Sequence, residues 1–370
     1  MKIQPIIFKL SVSVFLSLIL LSFSQVLAAL NRITNGTVIN IQGNSEIQRS
    51  DGRTLLPQLG TSLYPGDQLK TTTNSQLIIL CSDLSVQLIG GGTNQLNQCL
   101  VADNTADECY PKTKCSHRGD DLNLWNRQEI PYIISPQKTQ ILNPQPILQW
   151  GGVPAPTKYT VSLRENGQEI WRVTDIVETQ IQYPGEPPLK PGNTYQVIVE
   201  TDTGRSSRDV PVPGGTEFNL LAPETAAEIQ QKVTNIQSQG LEPISEKLAI
   251  ATLYEQYELL AEAIELLETV VNLEKTAPIY KKLGDLYWLT WELAPVAKPY
   301  YLQAIESAHP QDLETLTFAK DGLGQIEVVL GNRGKALEIF REVKAGYQQL
   351  GEIQQMQEVA KQIQDLELDN

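Results

Sequence analysis

Leu283-Gly284, followed by Tyr287, Ala297 and Tyr301, constrains this chain more than any other stretch of it. Partial copies flank it, at Ala251/Tyr254/Ala263/Leu267 upstream and at Leu323-Gly324/Ala336/Phe340 downstream. On a helix, a small residue lets a neighbouring helix approach closely, and a bulky apolar residue one turn away fills the space beside the contact. A two-helix unit of this kind cannot bury its apolar face alone. It stacks on copies of itself, and the stack leaves a concave surface. Ala263 to Ala297 is 34 residues and Ala297 to Ala336 is 39, so the second junction carries an insertion. A further helix from Gly351 to about Leu368 is expected to cap the stack. The pattern points to a binding scaffold before it points to an enzyme.

The N-terminus sets the expected compartment. Lys2 and Lys9 flank the start, the run from Leu10 to Phe23 is apolar apart from serines, and Val26 and Ala28 are small residues suited to cleavage before Ala29. Residues 1–29 therefore read as a secretory signal peptide. A retained anchor is the alternative, but the apolar run is short for a membrane span. No cysteine follows it, which argues against a lipid anchor, and no later stretch is long and apolar enough to cross a membrane. The expected location is the periplasm or the cell exterior.

All four cysteines, Cys81, Cys99, Cys109 and Cys115, fall in one segment. In an exported chain an even, clustered count reads as two disulfides. Three pairings are open, and Cys81–Cys99 with Cys109–Cys115 is the expected one. Zinc is the rival, because His117 lies near Cys115, but no C-x-x-C spacing is present. No metal or other cofactor is expected.

Of the formal charge of −14, most sits at the C-terminal end: residues 222–370 hold 12 Lys+Arg against 24 Asp+Glu. Such a region repels nucleic acid. It is either a solvated helix surface or a surface that favours a basic partner.

Ahead of the helices lie two β-rich stretches. In residues 30–134, Thr37–Ile41 and Glu46–Arg49 alternate, Ser50–Arg53 signals a hairpin, and Pro65-Gly66-Asp67 turns into Gln68–Thr71. Gln76–Cys81 and Val86–Ile89 follow, with Gly90–Gly92 ending the run. Gly36-Thr37-Val38, Gly60, Gly66-Asp67, Thr71 and Ser82-Asp83-x-Ser85-Val86 together resemble the FecR-type domain over about 65 residues. The resemblance implies a small twisted β structure outside the cytoplasm. Leu84 stands where the family's turn usually has glycine. FecR regulators also carry a membrane segment that this reading lacks, so their signalling is not carried over. The cysteine-bearing stretch after Gly92 is expected to be a loop.

In residues 135–221, Trp150, the alternating Tyr159–Arg164, the turn at Glu165-Asn166-Gly167 and the strand Gln196–Glu200 form a second β pattern. With Leu189-x-Pro191-Gly192-x-x-Tyr195, it resembles an immunoglobulin-like or fibronectin type III sandwich. That resemblance implies that Trp150, Tyr159 and Tyr195 lie in the core and that the Tyr195 hydroxyl anchors a corner. Composition shifts at Pro211–Gly215, and helix-favouring residues dominate from Glu224.

In residues 222–370 the L-G-x2-Y and A-x3-aromatic grammar resembles tetratricopeptide repeats. The first copy lacks the Leu-Gly pair, and Glu327 replaces the aromatic of the third. The resemblance implies that the first helix of each unit lines the concave face, which nominates Thr252, Glu255, Lys281, Asp285, Trp288, Asp321 and Gln325 as a binding groove. Trp288 and Trp291 could equally pack between repeats.

No catalytic motif is present. The two histidines, His117 and His309, suit surface positions, and Arg118-Gly119-Asp120 carries no assigned meaning. Neither a Walker motif, G-x-S-x-G, H-E-x-x-H nor a dinucleotide glycine pattern occurs. Glu262 and Glu265 read as solvated carboxylates on an acidic helix. The expected protein is a multidomain β + α chain, comprising a small β domain, a sandwich and an α-solenoid. Its expected role is that of a non-enzymatic scaffold that binds a protein or peptide. The rival expectation is a cell-wall or glycan-binding module acting through the FecR-like region.

Overall fold

The computed structural model describes residues 34–100, 130–154, 158–209 and 215–368. The expected signal peptide, Cys109, Cys115, His117, the Arg118–Asp120 tripeptide and most of the Pro211–Gly215 break lie outside the described residues. Among the described residues, 34–57 and 61–100 form one compact unit, and 58–60 with 130–368 form another.

The first unit contains eight short strands: β1 (Gly36–Gln42), β2 (Ser45–Gln48), β3 (Thr54–Leu55), β4 (Ser62–Leu63), β5 (Gln68–Thr71), β6 (Gln76–Cys81), β7 (Val86–Gly90) and β8 (Asn94–Leu96). They form two antiparallel sheets, ordered β4-β1-β6-β7 and β3-β2-β5-β8. Alternation puts Val38, Ile47, Leu69, Leu77 and Ile79 into one core shared by both sheets, with Cys81 and Cys99 among them. Cys81 and Cys99 are joined as a disulfide. Gly66, at φ +87°, makes the turn that delivers Asp67 to the interior. There Asp67 Oδ2 lies 2.6 Å from Arg49 Nη1 and accepts the Tyr64 amide at 2.8 Å, while the Arg49 guanidinium stacks 4.6 Å over the Tyr64 ring. One finding departs from the sequence reading: the stretch after Gly92 is not all loop, because β8 pairs with the edge of β5. Leu84, at φ +67°, occupies the left-handed region that favours glycine, in keeping with a turn position where glycine is usual.

The second unit opens with β9 (Tyr132–Ser135), β10 (Thr139–Ile141), β11 (Ile147–Gly151), β12 (Tyr159–Glu165), β13 (Gln168–Ile176), β14 (Gln180–Gln182), β15 (Thr194–Thr201) and β16 (Glu217–Leu220). A five-stranded sheet, β10-β16-β15-β12-β13, and a three-stranded sheet, β14-β11-β9, enclose a single core. All pairings are antiparallel except β10 with β16. Trp150, Tyr159 and Tyr195 are core residues, and the Tyr195 hydroxyl accepts the Lys190 amide at 2.6 Å while donating to Glu165 at 2.9 Å. Asn166 and Gly167, both at positive φ, form the two-residue turn between β12 and β13.

Eight helices follow: α1 (Pro223–Gln237), α2 (Pro243–Gln256), α3 (Leu260–Leu273), α4 (Ala277–Asp285, continued by a π-turn at Leu286–Thr290), α5 (Ala294–Ser307), α6 (Leu313–Val329), α7 (Arg333–Leu350) and α8 (Ile353–Leu368). They pair as α2/α3, α4/α5 and α6/α7, with α8 packed on α7. Proline in the first turn of α1, α2, α4 and α5 suits a position whose N–H has no helical partner. Each turn inside a pair has a left-handed residue two positions before the second helix: Glu258, Glu292 and Gly331. The extra residues between Ala297 and Ala336 go into a longer loop, 308–312 against 274–276, and a longer first helix, 17 residues in α6 against 14 in α2.

The sandwich is bonded to the helices. Thr139 Oγ1 donates to Glu258 O and accepts the Leu260 amide, both at 2.9 Å. Leu142 N–H donates to Glu262 Oε1 at 2.6 Å, and Lys138 pairs with Glu292 at 3.2 Å. Glu262 is therefore not a solvated carboxylate as the sequence suggested. Burial pushes its carboxyl up, and bonds from the Leu142 and Asn143 backbone counter that only in part.

Candidate functional site

The small–bulky grammar of the sequence is a set of physical contacts. Tyr301 of α5 is fully buried, with its ring held between Gly284 of α4 and Gly322 of α6. A Cβ on Gly284 would lie 2.8 Å from the ring, and one on Gly322 would lie 2.3 Å from Cζ. Gly324 and Phe340 repeat the contact in the next unit, at 2.6 Å. These approaches fix the spacing of the first helices α4 and α6, and so the placement of the nominated residues they carry.

Five of the seven nominated residues fall into two hydrogen-bonded groups, one around Asp285 and one around Asp321. Lys281 Nζ lies 2.5 Å from Asp285 Oδ2, and the Tyr301 hydroxyl donates to Asp285 Oδ1 at 2.9 Å. Trp288 Nε1 donates to Gln325 Oε1 at 3.2 Å, Gln325 Nε2 to Asp321 Oδ1 at 3.2 Å, and the Tyr347 hydroxyl to Asp321 Oδ2 at 2.5 Å. Lys281 also lies 5.5 Å over the Phe318 ring. The other two stand apart on α2. Glu255 pairs with Lys282 at 3.0 Å, and Thr252 bonds the Leu248 carbonyl of its own helix.

Burial pushes the Asp321 carboxyl up, helped by the nearby Glu358 and Asp285 charges and opposed by its bonds from Tyr347 and Gln325. Burial, then the adjoining carboxylates, hold the Tyr301 and Tyr347 phenols well above their ordinary range. Both phenols therefore keep their protons at neutral pH and donate, Tyr301 to Asp285 and Tyr347 to Asp321.

Trp288 is 5% exposed, so its indole is a buried member of the Asp321 group rather than an open anchor. The cause is the π-turn. Ala251 to Ala263 and Gly324 to Ala336 are each 12 residues, whereas Gly284 to Ala297 is 13. The extra residue is absorbed as one wide turn, which rotates the end of α4 and carries Trp288 inward. That spacing was the available signal.

Sequence reasoning missed two further clusters. Glu268 Oε1 accepts both the Tyr287 hydroxyl at 2.8 Å and the Tyr300 hydroxyl at 2.6 Å, and the two rings stack. Glu327, in the place of the third aromatic, is fully buried between Lys335 at 2.7 Å and Lys298 at 3.0 Å, with Asn332 donating at 2.7 Å. Burial opposes its ionisation, yet the bonds from Lys335, Asn332 and Lys298 outweigh it and hold the carboxyl below its ordinary range. His309 accepts the Gln311 amide in the α5–α6 loop. No group of three or more potential metal ligands occurs among the described residues, and no described helix is long and apolar enough to cross a membrane.

No family model matches the chain, and no curated protein does. Among solved structures, a cell surface anchoring domain is similar at 22% identity, over 20% of this chain and 97% of its own, with a TM-score of 0.17. A MamA structure aligns at 18% identity, over 39% of this chain and 85% of its own, with a TM-score of 0.26. A Podospora anserina kinesin light chain with nearly identical TPR-like repeats aligns at 20% identity, over 40% of this chain and 87% of its own, also at 0.26. At these scores the likenesses carry no weight of their own, and the β + α architecture rests on the chain's own geometry.

Proposed function

We propose that this protein is an exported, non-enzymatic scaffold of the cell envelope that holds a protein or peptide partner on the first-helix face of its repeats. In this reading residues 1–29 are a signal peptide, 30–134 a FecR-like domain, 135–221 an immunoglobulin-like or fibronectin-like sandwich, and 222–370 a tetratricopeptide-like solenoid. The observation that supports it most is the glycine–tyrosine packing of α4, α5 and α6. It packs α4 and α6 closely on α5, so that these first helices offer Lys281, Asp285, Asp321 and Gln325 from set positions, with Thr252 and Glu255 on α2 beside them. The excess of acid in residues 222–370 favours a partner with basic segments.

The test uses the full chain, because the sandwich is bonded to the helices. Tagged wild type and a Thr252→Arg/Lys281→Glu variant are incubated with envelope extract and with purified cell wall. The proposal expects a protein recovered by wild type and lost with the variant at unchanged helical content. Equal recovery by both, or sedimentation of both with cell wall and no protein partner, overturns it.

A further inference from the structure

We infer that the Cys81–Cys99 disulfide is a redox-sensitive clasp that holds β8 over the edge of β5. β8 is the edge strand of its sheet, and it pairs with β5 at Gln68–Leu96, Leu69–Gln95 and Lys70–Asn94. None of its three residues enters the core, and Leu96 is 56% exposed. The first buried apolar side chain beyond it is Cys99, which reaches the core by its bond to Cys81 on β6. Release of β8 therefore breaks no other strand pair and withdraws only Cys99 from the core of the unit.

The clasp is set by polar bonds that position Cys99. Asn97 N–H donates to Asp67 O at 2.8 Å, and Asn97 Nδ2 donates to Asn35 Oδ1 at 2.6 Å and to Tyr64 O at 3.0 Å. Asn35 Nδ2 donates to Cys99 O at 2.6 Å, and Ser82 Oγ to Leu100 O at 3.1 Å. Asn35 and Asn97 are buried, so these bonds last only while the segment stays seated and are exchanged for bonds to water together when it opens. Reduction by a dithiol gives two electrons and two protons to the S–S bond, leaving thiols on Cys81 and Cys99 and oxidising the reductant to its disulfide. The cross-link then no longer limits the opened state, and β8 leaves β5 as a bare sheet edge.

Hydrogen exchange on the full chain tests this, with and without a dithiol and in a Cys81→Ala/Cys99→Ala variant. The Thr71 amide, bonded to Thr93 O, and the Asn97 amide report the clasp, and the Val38 amide, bonded to Thr61 O, reports the core. Reduction is expected to lower protection at Thr71 and Asn97 on the order of 100-fold, the scale set by closing a loop of 18 residues, with Val38 unchanged. The variant is expected to match the reduced wild type. If Thr71 and Asn97 keep their protection, the backbone alone holds β8 and the inference fails. It fails equally if Val38 loses protection in step, because the disulfide then supports the whole unit.

Discussion

Replacing Gly322 by alanine puts the packing argument at risk directly. The added Cβ would stand 2.3 Å from Tyr301 Cζ and 2.7 Å from Cε2 and the hydroxyl oxygen, about 1 Å inside ordinary van der Waals contact at roughly 3.5 Å. The ring has little room to retreat, because Gly284 already lies against its Cδ1–Cε1 side and Asp285 holds its hydroxyl. Overpacking of this sort costs about 1–3 kcal/mol, and with the ring already confined the upper part of that range applies. Alanine returns up to about 1 kcal/mol of helix propensity, so the net loss is about 1–2 kcal/mol. Gly334→Ala is the matched control: it lies exposed in the first turn of α7 with nothing within 4 Å of its added Cβ, and should be neutral or gain up to about 1 kcal/mol. Urea midpoints of the helical transition, read by far-UV circular dichroism, separate the two. In a Tyr301→Leu background the Gly322→Ala penalty should shrink by at least about 1 kcal/mol. If Gly322→Ala proves as stable as Gly334→Ala, or its cost persists beside Leu at position 301, the account of the stack is wrong.

Glu327→Gln should cost about 2–3 kcal/mol at neutral pH, because it removes the charge that two lysines and Asn332 satisfy. A carboxyl held below its ordinary range stabilises the fold above that range and loses its contribution as pH falls through the depressed value. Melting curves of wild type and variant should therefore converge in acid, and a gap independent of pH would remove Glu327 as the cause. Asp321 carries the opposite sign: its raised carboxyl lowers stability as pH climbs from the ordinary carboxylate range to the raised value. Asp321→Asn should then be neutral or stabilising at pH 7, and a marked loss there would show that the charge itself is needed. Leu84→Gly should gain about 1 kcal/mol by relieving a left-handed backbone; chemical denaturation of the first unit reads this, and a loss would mean the leucine side chain matters more than its backbone.

Legibility followed the range of each interaction. The contacts of Gly284 with Tyr301 and of Gly324 with Phe340 join helices adjacent in sequence, so spacing alone exposed them. Tyr195 was readable through the sandwich resemblance and its bond to Lys190, five residues away, whereas its bond to Glu165, 30 residues away, was not. Glu327 looked like a failed aromatic because Lys298 comes from the preceding repeat, 29 residues away. β8 and β10 are three residues each, too short to alternate, and their partners β5 and β16 lie far along the chain. The groove was located through the tetratricopeptide resemblance, which assumes regular turns in each first helix. One extra residue broke that assumption and moved Trp288 from the surface to the interior.

The scaffold claim is tested most directly by where a partner touches the full-length protein in its own cells. A photo-crosslinking residue placed at position 252 or 325, on the first-helix face, is compared with one at position 302, on the exposed side of α5. The account predicts that positions 252 and 325 capture the same protein and that position 302 does not. Capture from position 302 alone, or from none of the three while the first unit crosslinks to cell wall, would contradict it.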